Sequence, residues 1–190
     1  MNREMGGIFV DPKIAEQIKD SVNGFRLPRY HEIPDVGLYL EQVSKYIADS
    51  LRPLDDLAIT GSMISNYVKR GLVSNPIKKQ YNREQIAYLI YVAVVKTVLS
   101  MDDIRLTMLI QQRSYASSVA YNYFCDEFEN ILKYIFGIED YAQDTSEATS
   151  AEKVMLRNTI ITATHKIYLD KLFAALQKME PEKNTGGSRK

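Results

Sequence analysis

A run of ten residues without a charged side chain, from Ile86 to Val95, constrains this sequence more than any other feature. Asn82 before it is a favourable helix N-cap, and Gln85 follows three residues later, as in a capping box. We therefore predict a helix from residue 82 to about residue 99. Because the central part of this helix is apolar on every face, it must be buried nearly all round. The fold has to supply neighbours on all of its sides.

Apolar periodicity and capping residues predict six further helices. They cover residues 12–22, 38–51, 60–70, 100–113, 115–136 and 151–179. Thr60 and Ser100 are favourable N-caps. Pro53 ends the helix before it, and Gly71 can take the left-handed conformation of a helix C-cap. The sequence therefore predicts an all-α fold.

Composition limits the classes of protein that come into question. The chain has 190 residues, of which 45% are hydrophobic, so it can form one packed domain or a small domain with a helical extension. Its single cysteine, Cys125, excludes an internal disulfide and a cysteine-rich zinc site. No apolar run reaches the ~20 residues that cross a membrane, and the N-terminus lacks a signal-peptide pattern. We expect a cytoplasmic protein without membrane association.

The charges of this chain are clustered, although its formal net charge is zero. Residues 126–152 contain eight acidic residues and one basic residue, Lys133. Residues 60–83 contain no acidic residue and five basic ones, which are Lys69, Arg70, Lys78, Lys79 and Arg83. A basic segment set apart from an acidic remainder is typical of a DNA-binding protein, because the phosphate backbone attracts only the basic part.

The helix predicted over residues 60–70 is short and amphipathic. Four residues at spacings of three and four form its polar face, which consists of Ser62, Ser65, Asn66 and Lys69. The opposite side should face the core through Met63, Ile64, Tyr67 and Val68. Such a helix can enter the major groove, where Asn66 could pair with adenine and either serine could contact a base or a phosphate. Taken alone, the same polar residues also fit a solvated helix face.

Three segments, in the right order, resemble regulators of the MerR family. Residues 63–73 (MISNYVKRGLV) resemble the end of the recognition helix, which carries a tyrosine, ends at Gly-Leu and leads into a wing. Residues 79–86 (KQYNREQI) are similar to the exit of the wing, and residues 99–104 (LSMDDI) to the turn Phe-Ser-Leu-Glu-Glu-Ile. The resemblance covers about residues 57–110 and implies a winged helix-turn-helix.

The chain departs from the family pattern in two places. Ser65 and Asn66 stand where the family usually has an Arg-Tyr pair, and Lys79 stands where the wing usually has an arginine. Lysine lacks the bidentate fork of arginine, so the family's DNA-distorting mechanism is not implied here. The wider chain, with its proline-containing lead-in over residues 26–37, resembles an uncharacterised family of small cytosolic proteins of low-GC Gram-positive bacteria.

We therefore predict an all-α protein with a MerR-like winged helix-turn-helix and a C-terminal helical extension. Residues 1–25 form an N-terminal helix or arm, 26–113 the helix-turn-helix domain, 114–179 a helical region for dimerisation or sensing, and 180–190 a disordered tail. The predicted function is transcriptional regulation through double-stranded DNA. The helix over residues 60–70, with Lys69 and Arg70 at its end, would enter the major groove. Lys78, Lys79 and Arg83 would hold phosphates, and the C-terminal helices would form a homodimer.

Two alternatives stay open. Ser65 and Asn66 replace the Arg-Tyr pair of the family. This departure favours a helical module that keeps the winged shape but binds protein. A small-molecule sensor is favoured by the thirteen tyrosines, several of which could line a pocket between the helices after residue 113. We expect no enzyme, no cofactor and no metal site. The sequence contains no glycine-rich phosphate loop, and its two histidines lack a third ligand at metal spacing.

Overall fold

The computed structural model describes residues 11–55, 57, 59–142 and 150–179. The α-helices of this part of the chain are α1 (Pro12–Val22), α2 (Leu40–Leu51), α3 (Gly61–Lys69), α4 (Arg83–Val95), α5 (Met101–Ser114), α6 (Ser117–Ile135) and α7 (Ala151–Met179). The other elements are the strands β1 (Leu38–Tyr39) and β2 (Gln80–Tyr81) and two 3-10 turns at Tyr30–Glu32 and Arg52–Leu54. The mostly helical fold confirms the all-α prediction, whereas the tail predicted over residues 180–190 lies outside the described residues.

Helix α4 lies at the centre of the molecule. Its N-terminus has the predicted capping box, in which the side chain of Asn82 accepts from the amide of Gln85 at 2.9 Å and the reverse bond measures 2.8 Å. The uncharged run is buried apart from Tyr88 and Tyr91, which are half-buried. Helices α2, α6 and α7 and the 3-10 turn at Tyr30–Glu32 contact α4. The helix ends at Val95, earlier than predicted, and a turn over residues 96–98 follows.

Helices α6 and α7 pack against each other and against α4. Helix α6 buries Tyr121, Phe124, Phe128 and Ile131, which recur at spacings of three and four, within the chain. The fully buried apolar residues of α7 are Ile160, Ala163 and Ile167, whereas Ile161, Tyr168 and Leu172 are half-buried. Helix α7 contacts α1 as well as α6, so its packed face is broader than one stripe.

The non-helical lead-in is joined to α6 by a largely buried ion pair. Arg29 donates two hydrogen bonds to Glu129, at 2.5 Å and 2.9 Å, and the amide of Leu27 donates to the same carboxylate at 2.8 Å. The amide of Tyr30 donates to the side chain of Asn122 at 2.9 Å. The hydrogen bonds that Arg29 donates to Glu129 hold the pKa of this arginine above its ordinary value. Two segments about one hundred residues apart are thereby held in one position.

A two-stranded antiparallel sheet connects the lead-in to the segment before α4. Leu38 pairs with Tyr81, and Tyr39 pairs with Gln80. Gly37 permits this close approach, because a Cβ atom at that position would lie 2.7 Å from the Cβ of Gln80. Strands of two residues carry no periodic signal, which is why the sequence did not predict this sheet.

None of the helices within the described residues is both long and apolar enough to cross a membrane.

The Glu129→Ala substitution should lower the free energy of unfolding by about 2–3 kcal/mol, because it leaves the largely buried Arg29 without its bidentate partner. Urea denaturation followed by circular dichroism measures the change. Glu139→Ala is the matched control, since Glu139 pairs with Lys133 at 3.0 Å in an exposed setting, and it should cost about 1 kcal/mol or less. Equal losses in the two variants would show that the pair of Arg29 and Glu129 stabilises the fold no more than the pair of Lys133 and Glu139 does.

Candidate nucleic-acid interface

Helix α3 begins and ends where its sequence predicts. Thr60 is the N-cap, and its hydroxyl accepts a backbone hydrogen bond within the first turn. At the other end, the amide of Leu72 donates to Tyr67 and the amide of Gly71 donates to Val68, both at 2.9 Å. These two bonds form a Schellman motif, which requires Gly71 in the left-handed conformation, and its φ is 71°. The buried side chains of Tyr67 and Leu72 close the motif.

The polar face of α3 lies on the surface, as predicted. Ile64 and Tyr67 are buried, and Met63 and Val68 are half-buried against the core. The residues of the opposite face are exposed, and they are Ser62, Ser65, Asn66 and Lys69. Helix α3 therefore presents this face to whatever binds the protein.

Hydrogen bonds distinguish the residues of this face. The hydroxyl of Ser62 lies 2.8 Å from that of Thr60, and the hydroxyl of Ser65 donates to the carbonyl of Gly61 at 2.9 Å. Among the described residues, the side-chain amide of Asn66 has no hydrogen-bond partner. Asn66 is therefore the residue of α3 that can offer both a donor and an acceptor to a base edge.

Lys78 and Lys79 form the tip of a tight hairpin after α3. Ile77 and Gln80 exchange two backbone hydrogen bonds, at 3.1 Å and 2.9 Å. Both lysines have positive φ, 51° and 65°, as in a type I′ turn. The sequence preferred for this turn is Asn-Gly, because left-handed backbone costs other residues about 1–2 kcal/mol each. The hairpin thus carries two exposed lysines at positions that disfavour them.

The base of the hairpin is fixed to the core. The side-chain amide of Gln85 donates to the carbonyl of Ser74 at 2.8 Å and to its hydroxyl at 3.1 Å. Gln85 is buried at the start of α4, and Gln80 and Tyr81 pair with β1. The tip therefore projects from a base that is held on two sides.

We define the basic surface as Lys69, Arg70, Lys78 and Lys79. All four side chains are exposed, and no carboxylate of the described residues lies within 4 Å of their charged groups. The acidic residues of α6 and the turn after it differ, because Arg29 pairs with Asp126 and Glu129, Arg157 pairs with Glu127, and Lys133 pairs with Glu139. These four carboxylates are thus paired within the protein, whereas the cations of the basic surface are not.

Arg83 does not join the basic surface. Its Nε atom donates to the carbonyl of Ile33 at 2.8 Å, and its guanidinium lies 5.8 Å from the ring centre of Tyr30. Asp35 lies 3.8 Å from the same guanidinium. Its position differs from the one that the sequence suggested, since Arg83 joins the start of α4 to the lead-in and is only 25% exposed.

Arg105 of α5 is a cation that the sequence analysis missed. Its guanidinium donates to the carbonyl of Arg70, at the C-terminal end of α3. The two residues are 35 positions apart, and no local pattern in the sequence indicates this contact. Arg105 therefore links α5 to the basic surface.

The described residues contain no group of three or more His, Cys, Asp or Glu side chains arranged to hold a metal ion.

Cys125 is buried, with its Sγ atom 3.9 Å from the carbonyl oxygen of Pro28. Burial raises the pKa of this thiol to about 12, so it stays protonated near neutral pH.

These features define a helical protein in which one amphipathic helix and the hairpin after it carry an exposed basic surface. A family model described as "Domain of unknown function (DUF1836)" matches residues 28–124, just over half of the chain, and the protein belongs to this family. The matched segment extends from the lead-in to the first half of α6 and includes the basic surface. No curated protein and no solved structure matches the chain.

Replacing the hairpin tip with the preferred turn, Lys78→Asn with Lys79→Gly, should raise the free energy of unfolding by about 1–2 kcal/mol, because glycine relieves the left-handed backbone. Thermal and urea denaturation measure the gain. The double variant Lys78→Ala with Lys79→Ala removes the same two charges and keeps the strain, so it should show no gain. If both variants are equally stable, the tip is not under backbone strain.

Proposed function

We propose that this protein is a transcriptional regulator that binds double-stranded DNA through α3 and the hairpin. The observation that carries the proposal is the basic surface. Its four cations are exposed and without counter-ions among the described residues, on a capped helix and an anchored turn, in a chain whose formal net charge is zero. A polyanion is the partner that such a surface attracts most strongly.

Helix α3 would supply the contacts to the bases. Its short polar face has the size of a recognition helix, and the major groove is wide enough to admit it. Asn66 would pair with an adenine through its side-chain amide. Ser65 donates its hydroxyl proton to the carbonyl of Gly61, and Ser62 shares one with Thr60, so both would act mainly as acceptors from amino groups of the bases. Sequence preference would then depend most on Asn66.

The hairpin would supply contacts to the backbone. Lys78 and Lys79 extend beyond the strand pairing, as a wing does, and lysine binds phosphate as a point charge. Lys69 and Arg70 would contact phosphates at the edge of the groove. Such contacts position the protein on the duplex and carry no sequence information.

A second copy would complete the regulator. Leu169 and Phe173 lie one turn apart on the outer side of α7 and are 42% and 54% exposed. We propose that this apolar pair contacts its counterpart in a homodimer, so that two α3 helices meet two half-sites.

Sedimentation equilibrium should then give twice the mass of one chain, and a single-chain mass at all concentrations would contradict the dimer.

Removing the two hairpin lysines should weaken binding to all DNA sequences and lower the salt dependence. In the double variant Lys78→Asn with Lys79→Gly, the slope of log affinity against log salt should fall by about two, one for each lost phosphate contact. Fluorescence anisotropy with labelled genomic fragments at several KCl concentrations measures this slope. Lys13→Asn with Lys19→Asn, on α1, removes two charges elsewhere and should leave the slope unchanged. A wild-type protein that binds no DNA at low salt would refute the proposal.

Asn66→Ala should lower the preference for a selected site by roughly tenfold, because one bidentate base contact discriminates by about 1–3 kcal/mol. The salt slope should stay as in the wild type, since no phosphate contact is lost. Competition between the selected site and random duplex measures the preference. Ser65→Ala on the same face is the control and should have a smaller effect. An equal loss for both DNAs would assign Asn66 to backbone contact.

One observation favours the alternative of a protein partner. Ile77 directly precedes the two lysines of the hairpin tip and is 75% exposed. Exposed apolar side chains next to charged ones occur in protein interfaces. A protein partner that co-purifies in stoichiometric amount, with no nucleic acid present, would replace the DNA-binding proposal.

A further inference from the structure

An apolar cavity of about 230 Å³ lies between α4, α5, α6 and α7. Its walls include Tyr91 and Phe124, whose rings meet edge to face at 5.2 Å between centroids. Helix α5 contributes Thr107 and Met108, and α7 contributes Leu156. The cavity is on the side of α5 that faces the core, and it lies outside the basic surface.

Most polar groups that line this cavity have partners, including its two charged residues. Glu152 accepts from the hydroxyl of Ser114 at 3.4 Å, and the Nζ atom of Lys153 lies 5.2 Å from the ring centre of Tyr123. The exception is the hydroxyl of Tyr121, which is buried without a hydrogen-bond partner among the described residues.

The hydroxyl of Tyr88 lies 2.9 Å from that of Ser117 and accepts from the amide of Gln112 at 3.1 Å. The hydroxyl of Tyr91 lies 3.1 Å from that of Thr107, and burial raises the pKa of Tyr91, so this phenol stays neutral. A charged ligand would lose its hydration in a mostly apolar cavity and would meet one residue of each charge, both already engaged, so its burial would be costly. The cavity therefore suits an uncharged molecule.

Size and lining narrow the class of ligand further. Apolar cavities of about 150 Å³ can hold benzene, so a cavity of about 230 Å³ accepts a larger molecule of roughly nine non-hydrogen atoms. Tyrosine rings dominate its polar side and offer edges and faces to a flat ring. Met155 can adapt to the outline of a ligand because its side chain is flexible. These properties favour a compact aromatic compound.

Helix α5 connects this cavity with the basic surface. Only Ile104 and Met108 of its fourteen residues are buried, so α5 is held more loosely than α4 or α6. Met108 faces the cavity, and Arg105, almost one turn earlier, donates to the carbonyl at the end of α3. A ligand that displaces Met108 would therefore move the helix that carries Arg105.

We propose that the cavity binds a compact, uncharged aromatic molecule and that its binding shifts α5 and, through Arg105, the end of α3. The site is separate from the basic surface, and its effect on DNA affinity rests on the proposed function. Filling the cavity would alter the geometry of Lys69 and Arg70 relative to the hairpin. The protein would then couple an aromatic metabolite to DNA binding.

The first experiment tests the cavity with the full chain and two probes, indole and 2-naphthol. Calorimetry should give a dissociation constant of about 0.1 mM or lower for at least one of them, and cyclohexanol, which is not aromatic, should bind more weakly. Ala120 lines the cavity, so Ala120→Leu should fill it and abolish binding. Ser118 lies on the same helix but outside the lining, so Ser118→Leu should retain binding.

Methyl NMR provides a readout that needs no variant, since the signals of Met108 and Met155 should shift and that of Met63 should not. Absence of binding, or binding with shifts elsewhere, overturns the proposal.

The second experiment tests the coupling without DNA and then with it. Hydrogen exchange at the amides of residues 66–72 should change when indole or 2-naphthol binds, and Arg105→Met should abolish this change while keeping probe binding. Unchanged exchange in the wild type would refute the coupling. DNA affinity should change about fivefold or more on probe binding, and not in Arg105→Met. If the protein binds no DNA at all, the proposed function fails, while calorimetry and hydrogen exchange still decide whether the cavity binds the probes and whether it is linked to α3.

Discussion

The burial of α4 on all sides is the constraint from which the rest of the structure follows. A helix with no charged residue between Ile86 and Val95 cannot face water, so α2, α6, α7 and the lead-in enclose it. The remaining helices α1, α3 and α5 lie at the periphery, and each buries only one narrow face. Their outer sides are consequently free for polar and charged residues. Because the other helices surround α4, the outer sides of the peripheral helices are the surfaces that can contact a partner.

The basic surface differs from other charged parts of the protein because its cations are not used in internal ion pairs. A neutral chain could distribute its charges evenly, but here the carboxylates of α6 are matched by Arg29 and Arg157 from other segments. Arg83 is likewise used to join α4 to the lead-in. The cations at the end of α3 and in the hairpin have no carboxylate of the described residues within 4 Å, so the fold does not use them in ion pairs of its own. Surplus charge of this kind is better evidence for a binding surface than the net charge of the chain.

Features that depend on neighbouring residues were predicted well. The N-cap Thr60, the capping box of Asn82 and Gln85 and the Schellman glycine Gly71 all act within one helical turn, so their residue types suffice to place helix ends. The polar face of α3 follows from the same periodicity. The position of Arg83, the contact from Arg105 and the cavity lined by Tyr91 were not predicted as they occur, because each depends on segments far apart in the chain.

The sequence by itself determined a mostly helical fold, the ends of most of its helices, and a polar face on α3 with a cluster of basic residues after it. Only the tertiary structure decided which of those cations are drawn into internal contacts, that Lys78 and Lys79 occupy left-handed turn positions, and that a cavity faces α5. The physical reason is the range of the interactions. Capping and periodicity act over three or four residues, whereas ion pairs and cavities arise where helices from distant parts of the chain pack together.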